Sequence, residues 1–85
     1  MKKLIEEHGE GLEALLGGEV CLYCANYIYA GKLIGVNETC VKLSCPKIVY
    51  LTGKFSNKEW EEAEDLFADY WYVQTAAIES FGPAK

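Results

Sequence analysis

The chain has 85 residues, 51% of them hydrophobic and 13% aromatic, with a formal net charge of -5. That length makes one domain with a small core, and that apolarity excludes a disordered chain. All 8 basic residues are lysine, so a net negative field without arginine, the residue that grips phosphate and guanine with paired hydrogen bonds, argues against a general nucleic-acid binder and against DNA as a partner.

Residues 1–18 are predicted as an N-terminal helix segment. Leu4, Ile5, His8, Leu12, Leu15 and Leu16 fall on one stripe of a 3.6-residue period, and Gly17-Gly18 suits the chain reversal after a helix C-terminus. Strands then fill 19–51. Residues 20–24 are rich in strand formers, and Asn26 breaks the run. A second strand spans 27–36, where Gly31 and Gly35 mark a sharp bend or a close backbone approach. A third begins at Cys40 after the polar turn Asn37-Glu38-Thr39, is interrupted at Pro46, and resumes over 48–51.

An insertion over 52–69 is predicted to hold a short helix. Ser56 or Asn57 can cap it, Glu59 completes a capping box with Ser56, and Trp60, Ala63, Leu66 and Phe67 give it an apolar edge. Glu59, Glu61, Glu62, Glu64, Asp65 and Asp69 make the same segment acidic and repulsive to phosphate. The last two strands fall within 70–81 as residues 70–74 and 76–81. The fold class is therefore mainly β: an N-terminal helix, then five strongly bent antiparallel strands forming a small barrel. No run of about 18 apolar residues occurs and the first residues lack a signal-peptide core, so a soluble, cytoplasmic protein with no membrane partner is expected.

Tyr29-x-Gly31-x-Leu33-x-Gly35-x-Asn37, followed by Cys40-Val41-x-Leu43, resembles the first motif of Sm-like proteins. Residues 73–78, Val-Gln-Thr-Ala-Ala-Ile, stand where the second motif falls. The resemblance covers residues 2–81 and is nearest to the short Sm-like proteins of phage and bacteria. It implies the five-stranded, SH3-like small barrel. It also implies a homo-oligomeric ring of about five to seven subunits, in which the fourth strand of one copy pairs with the fifth of the next. Tyr70, Trp71, Tyr72, Val73, Ile78 and Phe81 would then fill the subunit interface, since a short apolar chain needs somewhere to bury its aromatics.

The RNA-reading positions of the family are replaced. A Met-Asn pair becomes Cys40-Val41, and an Arg-Gly pair becomes Gln74-Thr75. A scaffold or binding-module ring is accordingly the expected function, not an enzyme. An RNA-binding ring with non-standard contacts is the alternative, using the loop residues Asn37, Thr39 and Gln74 with Lys32, Lys42, Lys47 and Lys54.

The cysteines leave a third reading, a zinc or redox protein. Cys21, Cys24, Cys40 and Cys45 have the number and the pairing of a four-thiolate site. Residues three apart on a strand point to opposite faces, so buried free thiols are the expectation, with no cofactor and no metal. His8 has no partner nucleophile placed by any motif, and the acidic run lacks the spacing of a calcium loop.

Overall fold

The structure, a computed structural model, describes residues 11–84. Six strands follow a short 3-10 turn at Gly11–Leu15: β1 Glu19–Cys24, β2 Ile28–Val36, β3 Cys40–Leu51, β4 Glu62–Asp65, β5 Tyr70–Gln74 and β6 Ile78–Pro83. All pairings are antiparallel, and the sheet runs β4-β3-β2-β1-β6 with β5 also on β3.

The predicted N-terminal helix lies mostly outside the described residues. Its last part forms the 3-10 turn, from which Leu12 and Leu15 pack against the core. That core consists of Val20, Leu22, Leu33, Val41, Leu43 and Val73, drawn from β1, β2, β3 and β5. Alternation explains the selection, because Val20 and Leu22, like Val41 and Leu43, stand two apart on one face of their strands.

β2 covers one edge of β3 over residues 41–49, so β4 and β5 share the other. β4 pairs with residues 47–51 of β3, and β5 pairs with residues 40–44. The two are thus successive pieces of one returning path, interrupted at residues 66–69. β5 leads through a 3-10 turn at Thr75–Ala77 into β6, which pairs with β1 at the far end of the sheet.

Two irregularities bend this sheet. Between the pairs Ala30↔Lys47 and Lys32↔Ser44, β2 supplies one residue, Gly31, and β3 supplies two, Cys45 and Pro46. Cys45 takes the left-handed conformation there at φ 50°, as the first residue of one type of two-against-one bulge does. Pro46 has no N–H to offer the ladder, and the bulge is a place where that costs nothing. Its carbonyl accepts a hydrogen bond from the Leu66 N–H at 3.0 Å, tying the bulge to the break between β4 and β5. Farther along, Ile34 is the extra residue between Leu33↔Leu43 and Gly35↔Lys42.

Three expectations need correction. Pro46 does not interrupt the third strand, since the bulge carries β3 unbroken from Cys40 to Leu51. The short helix expected in the insertion is absent, and β4 stands in that segment. A helix would need a surface to bury its apolar edge, yet Ala63 is exposed, Phe67 is 92% exposed, and Trp60 and Leu66 are only half-buried. Pairing with β3 instead satisfies the backbone of residues 62–65. The final strand also begins later than expected, at Ile78, because residues 75–77 are spent on the 3-10 turn.

Gly31 carries the tightest contact at the bend. A Cβ built there would lie 3.0 Å from the Ser44 carbonyl oxygen, 3.3 Å from Leu43 Cβ and 3.4 Å from Pro46 Cα. Backbone atoms cannot swing aside as a side-chain tip can. Gly31→Ala is therefore expected to cost about 1–3 kcal/mol of stability. Gly82→Ala, where nothing lies within 4 Å, should stay within about 0.5 kcal/mol of the parent. Urea unfolding of both variants checks this, and equal midpoints would contradict the role given to Gly31.

Candidate functional site

The unusual element is β5, Tyr70-Trp71-Tyr72-Val73-Gln74. Among the described residues it pairs with β3 on one side only. In register, Val73 faces Val41 and Trp71 faces Leu43, so this pair lies on the core side. Tyr70, Tyr72 and Gln74 lie on the outer side, opposite Ser44, Lys42 and Cys40. Val73 is buried, while Tyr70, Trp71 and Tyr72 are all exposed. A strand that is aromatic on both faces and open along one edge is poorly protected from association.

Beside it runs a groove of about 260 Å³, lined by residues 24–27, Tyr29, the four consecutive β5 residues 71–74, and Ala77. Lining by consecutive strand residues means that side chains from both faces, and the backbone between them, border the groove. Tyr27 and Tyr29 meet edge to face on its opposite wall, with ring centroids 6.4 Å apart at 61°, a favourable arrangement of ring quadrupoles. Burial pushes the Cys24 thiol above its ordinary value. It raises Tyr29 too, helped by the charges Cys24 and Tyr27 would carry. Both groups are neutral near pH 7, and among the described residues no lysine, aspartate or glutamate lines the groove.

On the outer face, Lys42 Nζ sits 4.1 Å from the Tyr70 ring centroid and 5.7 Å from that of Tyr72. Such a contact is worth about 0.5–1 kcal/mol at an exposed site, and it fixes the two tyrosines relative to β3. At the other free edge, β6 carries Ile78, which packs against the core, and Phe81, which shares Leu22's face in register and is 41% exposed. Of the six residues expected at an interface, then, Val73 and Ile78 serve the core. Tyr70, Trp71, Tyr72 and Phe81 present apolar surface at the two edges.

A second depression, about 410 Å³, lies where the turn after β2 meets the turn after β5, lined by Glu38, Thr39, Cys40, Gln74, Thr75 and Ala76. Thr39 and Gln74 of the predicted loop set come together here. Asn37 does not reach it, because its Oδ1 accepts from the Thr39 N–H at 2.8 Å, the Thr39 hydroxyl at 3.0 Å and the Cys40 N–H at 2.9 Å. This Asx turn reads as a structural device. Thr75 locks the two turns together, its hydroxyl donating to the Glu38 carbonyl at 2.8 Å and its N–H to the Thr39 carbonyl at 2.9 Å. Among the described residues no lysine lines the depression. Lys42 is held by the tyrosines, Lys47 stands opposite Asp65, and Lys32 is exposed on β2.

The four cysteines are free and dispersed. Cys21 is buried with Sγ 3.6 Å from the Pro83 carbonyl, and Cys24 lies across the strand against the core. Cys40 borders the loop depression, and Cys45 is exposed at the bulge. Among the described residues no three of His, Cys, Asp and Glu gather where they could hold a metal ion. Tyr23, next to Cys21 on its face, is pushed up to about 12 by burial and then by its hydrogen bond with Cys21. Among the described residues no helix is long and apolar enough to cross a membrane.

The aromatic identity of β5 was readable from sequence. The groove's other wall was not, because Tyr27 and Tyr29 reach β5 only through tertiary folding; nor was Thr75 recognisable as a lock. Compared with known proteins, the chain matches no family model, no curated protein and no solved structure.

Asn37 supplies three hydrogen bonds from one atom, so Asn37→Ala is expected to cost about 1–2 kcal/mol, and Asn37→Asp, which keeps the acceptor, under about 0.5 kcal/mol. Chemical denaturation of both distinguishes them. Equal losses would mean that the turn does not depend on this oxygen.

Proposed function

We propose that the bent sheet is a small Sm-like barrel left open between β5 and β6, and that the chain is one subunit of a homo-oligomeric ring serving as a scaffold or binding module. Counting β4 and β5 as one interrupted strand gives the five-strand order that the sequence resemblance implies. The observation that carries the reading is β5 itself: a strand paired on one edge only, with three exposed aromatics and a neutral groove alongside.

β6 is the natural complement. Among the described residues it too pairs on one side only, with β1, and it presents Phe81 at its edge. Pairing β5 of one copy with β6 of the next is a head-to-tail contact, and the rotation it imposes repeats until the ring closes. Closure leaves no unpaired edge at either strand, removing the hazard that each poses alone. Trp71 and Phe81 both lie on the core side of their strands, so strand pairing would join the cores of adjacent subunits into one apolar seam. Such seams, aromatic and poor in charge, are typical of obligate contacts.

The test is a charge placed on the outer face of β5, where the fold itself does not need the side chain. Tyr72 is 61% exposed, so Tyr72→Glu should leave the far-ultraviolet circular dichroism unchanged. Gel filtration of this variant should show a hydrodynamic size several-fold smaller in mass than the parent, because strand pairing would lay a neighbour's β6 beside that carboxylate on the outer face and strip water from it. An unchanged elution volume for a folded variant would count against β5 as the contact strand.

A further inference from the structure

β4 and β5 lie on the same edge of β3, yet their chemistry is opposite. β5 is Tyr-Trp-Tyr-Val-Gln, without a charge; β4 is Glu-Ala-Glu-Asp, exposed at every residue. Among the described residues the only basic residue directly across from β4 in register is Lys47, opposite Asp65. Glu59, Glu61 and Asp69 extend the negative charge on both sides of the strand.

We infer that docking on this edge is confined to the five residues of β5, which accept a short uncharged strand, while the carboxylates of β4 stop the added strand from extending past the break at residues 66–69. The inference deepens the proposed ring contact and rests on that reading for its occupant, the β6 strand of a second copy. Length and charge both suit that occupant. β6 has six residues, Ile-Glu-Ser-Phe-Gly-Pro, with one charge, Glu79, and ends on Pro83, which has no N–H to continue a ladder. A strand reaching farther would bring its backbone and side chains against Glu62, Glu64 and Asp65 and strip water from them, which costs more than the added hydrogen bonds return. Charge on an exposed strand is a common device against unlimited edge pairing. Here it would separate a closed contact from an open, growing one: without it the whole β4–β5 edge, about twice as long, becomes available, and longer or out-of-register pairings no longer close.

Light scattering on the full chain tests this with two triple variants, E62Q/E64Q/D65N and E62K/E64K/D65K. The first removes the charges at nearly constant shape. The second reverses them and brings the net charge closer to zero. The neutral variant is expected to form polydisperse particles whose mass grows with concentration, and the lysine variant to keep the parent's narrow distribution, because either sign of charge resists desolvation. A neutral variant as narrow as the parent would overturn the inference, as would a lysine variant that grows like the neutral one, since general loss of repulsion would then be the cause. A monomeric parent beside a growing neutral variant would defeat the ring reading and leave the charged stop on β4 standing. Circular dichroism of each variant establishes that the species compared are folded.

Discussion

The architecture depends on the close approach of Gly31 to the bulge at Cys45-Pro46. Where one glycine of β2 opposes two residues of β3, the paired strands bend, and only a residue without a side chain lets the Ser44 carbonyl come so near. Without that bend β2 and β3 would form an extended ribbon with no enclosed side. With it, Leu33 and Leu43 face Val20, Leu22, Val41 and Val73 across a single small core. The hydrogen bond from Leu66 to the Pro46 carbonyl extends the effect, because it sets where the returning strand breaks into β4 and β5.

From this constraint the character of the two ends follows. A sheet bent this far brings its last strands near each other, and the three residues Thr75–Ala77 suffice to pass from β5 to β6. The strands do not pair with one another in the described residues, so each keeps an open edge. Part of the apolar surface that a chain this short does not enclose lies on those edges, at Tyr70, Trp71, Tyr72 and Phe81, while Phe55, Phe67 and other exposed side chains lie elsewhere. The proposed ring is the arrangement that covers both with one repeated contact.

Local rules served the sequence reading where structure is locally determined. The strand formers at residues 20–24 and the glycines of the second strand marked β1, β2 and the bend. They failed where a distant partner decides. Ser56, Glu59 and the spacing of Trp60, Ala63 and Leu66 satisfy every local criterion for a helix, yet β3 offers residues 62–65 a ladder that no local pattern reveals. Pro46 likewise looks like a strand breaker until the bulge gives it a place. The site divides in the same way: the aromatics of β5 stand out in sequence, whereas Tyr27 and Tyr29 become its opposite wall only once β2 has folded across. The polar loop residues were visible as a group, but Asn37 turned out to be engaged by its own turn, leaving Thr39 and Gln74 beside Thr75.

Native mass spectrometry of the undiluted and diluted full chain addresses the central claim most directly, because it counts subunits. The account predicts one closed species of about five to seven chain masses, unchanged in stoichiometry on dilution and without a ladder of intermediates. A single chain mass at every concentration would contradict it, and the exposed aromatic edge of β5 would then have to be a docking strand for a different protein.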